Sequence, residues 1–330
     1  MTIRFGVIGA GRIGKVHAKT IASNPKAKLS YIADALSQAA QDLAAQHGAQ
    51  VASVEQIFAA ADVDAVLIGS PTGFHAEQIQ AAAKAGKAIM CEKPVSLSVE
   101  MIEATLKVVE AKKATLMIGF NRRFDPHFAE VERRIRRGDV GVIEMLTVIS
   151  RDPAPPPASY VKGSGGLFRD MMIHDFDMAR FLMGEEFVVV QALGSALVDK
   201  AIGEAGDVDT AAVQMQTATG RIAVITNSRR ATYGYDQRVE VHGSKGMVHA
   251  KNVHETTVEV LNQAGCQADP IQNFFIERYG AAYANELNTF IAAVESGNRD
   301  PRPNGHDGLQ AQKLADAATQ SWQTGKPVTV

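Results

Sequence analysis

The sequence of 330 residues has little cysteine, few aromatic residues and no excess of charge of either sign. Its two cysteines, Cys91 and Cys266, form no CxxC pair, which argues against a disulfide framework and against a structural zinc site. The 34 Lys and Arg nearly balance the 36 Asp and Glu, so that the net charge is −2. Because the two signs are mixed along the chain, we expect no basic surface for nucleic acid or an acidic membrane.

Long apolar runs and a signal peptide are also missing. No run approaches the ~18 residues of a membrane span, and residues 1–4 lead directly into a strand pattern. Together with the scarcity of cysteine, this indicates a cytoplasmic protein that has no membrane partner. The length predicts about two domains, large enough to fold without a disulfide or a metal.

The first part of the chain, up to residue 120, alternates short β-branched runs with longer Ala-rich segments. This is the pattern of βαβ units around a parallel sheet with helices on both faces. Helices are predicted at 77–85 and 99–111, the second after the cap-like Ser98. The predicted strands cover 3–9, 28–33, 64–69, 87–91 and 115–120.

The pattern changes after residue 120. A charged helix up to Arg137 is followed by closely spaced alternating strands, which predict a large, open, mainly antiparallel sheet with one face available to a partner. The strands are predicted around 142–149, 187–198, 210–217, 221–228, 238–242 and 257–261. Two helices, 281–295 and 306–324, close this α+β domain, and the last carries an apolar packing stripe at Ala311, Ala315, Ala318 and Trp322. We therefore predict an α/β domain at 1–120 and a second domain at 121–330, whose last helix can pack back on the first domain.

A glycine motif follows the first predicted strand, where residues 9–14 read GAGRIG. Gly9 permits a tight turn, Gly11 lets the backbone approach a pyrophosphate, and Gly14 lets helix and strand pack closely. The N-terminus of the following helix offers free N–H groups to phosphates. The position of the motif favours a dinucleotide-binding loop over a structural turn, and Arg12 and Ile13 within it are candidate cofactor contacts.

An acidic residue, Asp34, ends the second predicted strand, 20 residues after Gly14. This is where a carboxylate that binds the adenosine ribose hydroxyls is expected. A carboxylate repels a 2′-phosphate and no arginine follows it closely, so NAD is favoured over NADP. The alternative interpretation is an Asp that only initiates a turn.

A lysine follows the strand that ends at Cys91, in the sequence Glu92-Lys93-Pro94. Ligands of open α/β sheets bind at the carboxyl ends of strands, and the proline restricts the lysine backbone so that its side chain stays at that edge. A Lys-Pro pair is often only a surface loop. The position beside the predicted cofactor cleft favours a functional Lys93.

Asp170, His174 and Asp177 in the second domain are spaced i, i+4 and i+7, which predicts one ridge of a helix. An aspartate one turn before a histidine can fix its tautomer and raise its basicity, as a general base requires. Taken alone, the pattern fits a capping aspartate and a structural histidine at least as well. A metal site at these residues and Asp175 is disfavoured, because no second histidine or cysteine is near in sequence.

Other candidates have weaker support. Arg122 and Arg123 follow a strand and can line the cleft or begin a helix, and His75 lies in a strand-end segment where it can touch the cofactor or only the surface. Tyr233 and Tyr235 can present a ring and a hydroxyl to a sugar or belong to the core.

The combination of GAGRIG, Glu92-Lys93-Pro94 and Asp170-x3-His174 resembles the glucose-fructose oxidoreductase and inositol dehydrogenase (Gfo/Idh/MocA) family, nearly from end to end. The shorter segments 119–125, 150–153 and 233–237 resemble its inositol 2-dehydrogenase branch most. The resemblance implies an N-terminal Rossmann domain that binds NAD, a second domain whose open sheet forms a subunit interface, and a homotetramer.

The resemblance also implies roles for individual residues. Lys93, Asp170 and His174 correspond to the catalytic lysine, aspartate and histidine. Arg123 and Asp152 occupy polyol-contacting positions, although Asp152 stands where some relatives have an amide. The resulting cofactor contacts are Gly9, Gly11, Arg12, Ile13, Gly14, Asp34, Ser70, Thr72, His75, Glu92 and Lys93, and the substrate contacts are Lys93, Arg123, Asp152, Asp170, His174 and Tyr233.

These roles predict a hydride-transfer reaction between the nicotinamide and a cyclic polyol. His174, oriented by Asp170, removes the hydroxyl proton while Lys93 stabilises the developing alkoxide. The predicted substrate is myo-inositol, with scyllo-inositol or a pyranose sugar as the alternative. Two interpretations from other classes are an NAD-binding regulatory protein without activity and a zinc-dependent alcohol dehydrogenase, and the cysteine content argues against the second.

Overall fold

The computed structural model describes residues 2–330, except for the side chain of Lys162. The chain forms two compact units. Unit 1 runs to Phe124 and also includes Ala282–Gln312, and unit 2 comprises Asp125–Ala281 and Lys313–Val330. The first division therefore lies close to the predicted boundary at residue 120, but a C-terminal segment that we assigned to the second domain belongs to unit 1.

The N-terminal part of unit 1 alternates strands and helices. The strands are β1 Ile3–Ile8, β2 Ala27–Ala33, β3 Gln50–Val51, β4 Ala65–Ile68, β5 Ala88–Cys91 and β6 Leu116–Ile118. The helices are α1 Arg12–Ala22, α2 Ser37–His47, α3 Val54–Ala59, α4 His75–Lys84 and α5 Val99–Lys112. Short 3₁₀ turns cover Thr72–Phe74 and Asn121–Phe124.

These strands form one parallel sheet in the order β3-β2-β1-β4-β5-β6. All four residues of β4 are buried, as are most of β1, because helices cover both faces of the sheet. The strand order reverses between β1 and β4, because β2 and β3 lie on one side of β1 and β4 to β6 lie on the other. Sheets of this kind bind ligands at the carboxyl ends of the strands where the order reverses. The predicted doubly wound parallel sheet is confirmed.

Unit 2 begins with a helix and contains the larger sheet. Its helices are α6 Pro126–Arg137, α7 Ala158–Ser164, α8 Gly166–Asp170, α9 Ile173–Met183, α10 Lys200–Glu204 and α11 Phe275–Arg278. Its strands are β7 Ile143–Arg151, β8 Phe187–Ser195, β9 Thr210–Thr217, β10 Ile222–Ser228, β11 Asp236–Gly243, β12 Gly246–Ala250, β13 Glu259–Asn262 and β14 Gly265–Ala268. The chain ends with α12 Gly280–Ser296, α13 Gly305–Thr324 and β15 Val328–Thr329.

The large sheet has the order β12-β11-β7-β10-β9-β8-β15. Only the pair β7 and β10 is parallel among the seven strands of this sheet, so the predicted mainly antiparallel sheet is confirmed. Exposure alternates along β9, where every second side chain is buried. The segment predicted as a strand at 257–261 instead forms a separate hairpin of β13 and β14.

Helix α12 contributes to the core of unit 1. Leu287, Phe290 and Ile291 are buried in the same cluster as Phe5 of β1, and the ring centroids of Phe5 and Phe290 lie 6.0 Å apart. We predicted that the last helix can pack on the first domain, and the first part of α13, up to Gln312, does belong to unit 1. The contribution of α12 was not predicted. In residues 2–330, no helix is long and apolar enough to cross a membrane.

Candidate active site

The glycine loop of unit 1 shows why each of its three glycines is needed. Gly9 has a φ of +105°, and a Cβ there would lie 2.4 Å from the carbonyl oxygen of Gly69. A Cβ on Gly14 would lie 1.9 Å from the carbonyl oxygen of Gly9. A Cβ on Gly11, in contrast, would meet no other atom of residues 2–330 within 4 Å beyond its chain neighbours and its own helix. Two glycines thus permit internal packing, and the third faces space that a ligand can use.

This open space lies at the N-terminus of α1. Gly11 is the N-cap residue, and the first turn contains Arg12 and Lys15 and so carries positive charge. Arg12 is exposed and Ile13 is half-buried. Helix N–H groups, basic side chains and a glycine without a Cβ together fit the pyrophosphate of a dinucleotide.

Asp34 follows β2 and is directly connected to the glycine loop. Its Oδ2 accepts a hydrogen bond from the backbone N–H of Ala10 at 2.6 Å, and its Oδ1 accepts one from that of Leu36 at 2.7 Å. The second bond is the turn-forming role that the sequence left open. Its carboxylate lies beside the phosphate loop, as the predicted ribose contact requires, and that contact stays a prediction.

His75 begins α4 and links two loops of the same sheet edge. Its Nδ1 lies 2.8 Å from the carbonyl oxygen of Pro94 and its Nε2 lies 2.7 Å from that of Ser70. Only 1% of the residue is exposed, and burial lowers the pKa of His75. The structure therefore places this ring behind the loops, where it holds them. Ser70 and Thr72 are half-buried at the loop itself.

Lys93 follows the end of β5, at the same edge of the sheet. Glu92 before it contacts His17 of α1, with Oε1 2.6 Å from Nε2, and packs against Gly119, where a Cβ would lie 3.0 Å from the carboxylate. Lys93 is half-buried and precedes the buried Pro94. Unit 1 thus brings the glycine loop, Asp34 and the segment of Lys93 together through backbone geometry and buried polar contacts.

Arg123 also belongs to unit 1, although we predicted it in the second domain. Its Nη2 lies 3.1 Å from Oδ1 of Asp307, and both side chains are largely buried. The predicted polyol contact of Arg123 is untested.

The prediction that Asp170, His174 and Asp177 share one helical ridge is wrong. Helix α8 ends at Asp170, and α9 begins at Ile173, so His174 lies in the first turn of a new helix. The helical pattern breaks because the carbonyl oxygen of Leu167 accepts hydrogen bonds from both Met171 and Met172, at 3.1 and 2.9 Å. Asp170 and His174 therefore do not lie one turn apart on a continuous helix, as the prediction required.

Asp170 is instead surrounded by side chains from other segments. Its Oδ1 accepts a hydrogen bond from the hydroxyl of Tyr160 at 3.2 Å, and its Oδ2 lies 3.5 Å from Nη2 of Arg229. Nη1 of the same arginine lies 3.9 Å from Oδ2 of Asp152. The structure therefore brings the predicted residues Asp152 and Asp170 together through Arg229, which sequence reasoning missed.

The neighbouring aspartates of α9 have structural partners. Asp175 is fully buried and accepts a hydrogen bond from the side-chain amide of Asn227 at 2.9 Å. Asp177 is buried and lies 4.0 Å from Nη1 of Arg180. The described part of the chain contains no group of three or more His, Cys, Asp or Glu that could hold a metal ion.

Tyr233 presents its ring to solvent while its hydroxyl is engaged. The residue is 51% exposed, its hydroxyl donates to Oδ2 of Asp236 at 2.6 Å, and it accepts from Arg151 at 2.7 Å. Tyr235, the other candidate, is buried in the core beside Phe274 and Tyr279.

Two family models match most of the chain. One, described as the oxidoreductase family with an NAD-binding Rossmann fold, matches residues 3–120. The other, described as the C-terminal alpha/beta domain of the same oxidoreductase family, matches residues 132–330.

Individual relatives cover the full length. An inositol 2-dehydrogenase of Rhizobium meliloti strain 1021 is 54% identical and covers 100% of both chains. A crystal structure of a myo-inositol dehydrogenase from Corynebacterium glutamicum has a TM-score of 0.95 at 45% identity, covering 100% of this chain and 99% of that one. A scyllo-inositol dehydrogenase from Lactobacillus casei, solved with NAD(H) and scyllo-inositol, has a TM-score of 0.93 at 33% identity and covers 100% of this chain and 99% of that one. The chain belongs to the Gfo/Idh/MocA oxidoreductase family.

Proposed function

From this membership, we propose that the chain is an NAD-dependent inositol 2-dehydrogenase that oxidises myo-inositol to 2-keto-myo-inositol. The observation that carries the proposal is the 54% identity to an inositol 2-dehydrogenase over the whole of both chains. The chain has the residues proposed as the base of a polyol oxidation, its supporting carboxylate and the cation, which are His174, Asp170 and Lys93.

The residues of unit 1 fit NAD. The open side of Gly11 and the N-terminus of α1 would hold the pyrophosphate, and Asp34 would bind the ribose hydroxyls. Arg12, Ser70 and Thr72 are the further proposed contacts of this loop edge. When bound, NAD accepts the hydride from the substrate carbon.

The protein's own side chains manage the proton and the charge on the substrate oxygen. In the proposed reaction, Nε2 or Nδ1 of His174 accepts the hydroxyl proton, and the ammonium of Lys93 donates a hydrogen bond to the oxygen as negative charge develops on it. Asp170 supports the imidazolium that forms. Asp152, Arg123 and Tyr233 are the proposed contacts for the other hydroxyls.

A second candidate substrate is scyllo-inositol. The relative from Lactobacillus casei, 33% identical to this chain, was solved with scyllo-inositol. Both inositols present the same six ring hydroxyls and differ at one centre, so one arrangement of a base and a cation can serve both.

The experiment is a steady-state panel of NAD and NADP reduction with myo-inositol, scyllo-inositol and pyranose sugars. We expect the highest kcat/KM with myo-inositol and NAD, because Asp34 disfavours a 2′-phosphate. A preference for scyllo-inositol would change the substrate only. If the protein binds NADH tightly but reduces neither NAD nor NADP with any compound of the panel, a regulatory protein is favoured instead.

We also propose a cytoplasmic homotetramer assembled through the open face of the large sheet. Met145 of β7, Ile222 of β10 and Leu193 of β8 lie on the same face of the large sheet and are 43, 37 and 71% exposed. Exposed apolar side chains on one sheet face are typical of a subunit interface. Light scattering of the purified protein should give four chain masses, and a monomer at micromolar concentration would contradict the proposal.

A further inference from the structure

Arg229 is a buried cation between two functional carboxylates of unit 2. Only 2% of the residue is exposed. Its Nη2 lies 3.5 Å from Asp170, the proposed catalytic aspartate, and its Nη1 lies 3.9 Å from Asp152, a proposed substrate contact. The two ends of one guanidinium therefore face two different residues of the proposed site.

The backbone fixes this arrangement. Strands β7 and β10 are parallel and in register up to Arg151 and Ser228, so the residues that follow them, Asp152 and Arg229, emerge at the same edge. The backbone N–H of Asp152 donates to the carbonyl oxygen of Ser228 at 2.9 Å, and that of Arg229 donates to the carbonyl oxygen of Asp209 at 2.8 Å. Both residues are thus held where their strands end.

The surrounding charges explain why an arginine stands there. Asp170 closes α8, Asp152 follows β7, and Asp207 precedes β9 with a carboxyl whose pKa is raised, mainly by burial and also by the negative charge of Asp170. His174 lies in the first turn of α9, and the hydroxyl of Tyr160 in α7 donates a hydrogen bond to Asp170. The Arg229 guanidinium lies beside Asp170 and Asp152, and its positive charge also acts on Asp207, so it offsets part of the mutual repulsion of these three carboxyl groups.

We propose that Arg229 is a positioning residue that holds the carboxylates of Asp170 and Asp152 in one arrangement and thereby couples the support of the base His174 to substrate binding. The inference rests on the proposed function of Asp170 and Asp152. A planar guanidinium with several fixed donors can face two carboxylates at once, whereas an ammonium is a single point charge. The role is therefore specific to arginine.

The experiment compares Arg229→Gln and Arg229→Lys with the matched control Arg230→Gln. Arg230 is the next residue in the chain and is exposed. The readouts are kcat and KM for myo-inositol from pH 5 to 9, NADH binding, and the Tm of the NADH complex at pH 7.5 and 4.5.

We expect Arg229→Gln to lower kcat/KM about 100-fold, with contributions from both kcat and KM, because a misplaced catalytic group costs about this much. The acid limb of the pH profile should move up by about one pH unit, because the proposed site loses a positive charge that lies beside both Asp170 and Asp152. Arg229→Lys should restore about a tenth of the wild-type value, Arg230→Gln should stay within about twofold, and all variants should bind NADH normally.

Two results would overturn the inference while the proposed function stands. One is a kcat/KM of Arg229→Gln within about threefold of the wild type. The other is a loss of activity with an unchanged pH profile, which is the result of a merely structural role.

If the wild-type protein oxidises no polyol or sugar, the proposed function fails, and the Tm values still test the charge arrangement. The stabilisation by Arg229 requires charged carboxylates, so the deficit of Arg229→Gln should be present at pH 7.5 and smaller at pH 4.5. A deficit that is the same at both pH values would overturn the inference.

Discussion

The proposed functional regions of the two units differ in the groups that form them. The glycine loop of unit 1 uses backbone and missing side chains: Gly9 and Gly14 leave room for neighbouring carbonyl groups, and Gly11 leaves room for a ligand. The cluster of unit 2 uses charged side chains, with Asp152 and Asp170 on either side of Arg229. The first offers open space and the N-terminus of α1 to a ligand, and the second depends on a balance of charges.

The two regions also differ in how far apart their residues lie in the chain. The glycines of unit 1 lie within one strand-turn-helix segment, so local geometry alone forms the loop. Asp170 and Arg229 are 59 positions apart, and only the completed sheet brings them together. A local motif can therefore be read from the sequence, and a charge cluster assembled by tertiary structure cannot.

The largest effect should come from the side chains that we propose to act on the substrate. We expect Lys93→Ala and His174→Ala each to lower kcat about 10³-fold or more, because each removes either the proposed stabilising cation or the proposed base. NADH affinity, measured by fluorescence titration, should stay within about threefold, since the glycine loop is untouched.

Two results would contradict these expectations for turnover and for NADH binding. If either variant keeps kcat within about tenfold of the wild type, that residue has no catalytic role. If NADH binding falls together with turnover, the separation of backbone recognition from side-chain chemistry is wrong.

The next largest effect separates two glycines of the same loop. Gly14→Ala places a Cβ 1.9 Å from the carbonyl oxygen of Gly9, so we expect a loss of at least about 3 kcal/mol in the free energy of unfolding. Gly11→Ala meets no other atom in the described chain within 4 Å beyond its chain neighbours and its own helix. Because alanine is a poorer N-cap than glycine, it should lose only about 1 kcal/mol of stability, and it should weaken NADH binding at least about tenfold.

Urea unfolding and NADH titration of both variants test this pair. Normal NADH affinity in Gly11→Ala would show that the open side of the loop does not face the cofactor. An undisturbed Gly14→Ala would show that the loop can relax, and would remove the steric explanation of the motif.

The smallest effect concerns a buried carboxyl of unit 1, Glu286. It is fully buried, neither carboxylate oxygen has a hydrogen-bond partner among the described residues, and burial together with the charge of Glu92 raises its pKa well above the usual range. The folded state therefore binds a proton that the unfolded state releases above about pH 4.5, and stability falls as the pH rises. We expect Glu286→Gln to be neutral near pH 4.5 and to stabilise the protein by at least about 1 kcal/mol near pH 8.

Asp125 of unit 2 is the matched comparison for Glu286. It is also buried, but it accepts hydrogen bonds from the N–H groups of His127 and Phe128 at 3.1 Å and pairs with Arg278. Asp125→Asn should therefore lower the Tm, because it breaks a buried ion pair. Changes of the same sign in Glu286→Gln and Asp125→Asn would remove the distinction between paired and unpaired buried carboxyls.

Much of the architecture could be predicted because it depends on local patterns. The apolar runs of β1 and β4 predict buried parallel strands, and Ser98 predicts the start of α5, where its hydroxyl accepts a hydrogen bond from the N–H of Met101. The contribution of α12 to unit 1 was missed, because an amphipathic pattern shows that a helix face is buried but not against which sheet.

The candidate site divides in the same way. The glycine motif and the position of Lys93 after β5 could be predicted from the order of residues along the chain. The helix break between Asp170 and His174 could not. The contact of Arg229 with Asp152 was not predicted, because in the mainly antiparallel sheet that we expected the carboxyl ends of adjacent strands lie at opposite edges. The parallel pairing of β7 and β10 places Asp152 and Arg229 at one edge.

By itself, the sequence determined the parallel nucleotide-binding sheet, the shape of the phosphate loop and the identity of the family. Each depends on contacts between residues close in the chain or on a short motif of the amino-acid sequence. The tertiary structure alone decided which cation faces which carboxylate and where α12 packs. The reason is that these contacts join residues distant in the chain, whose meeting depends on strand order and direction rather than on local backbone preference.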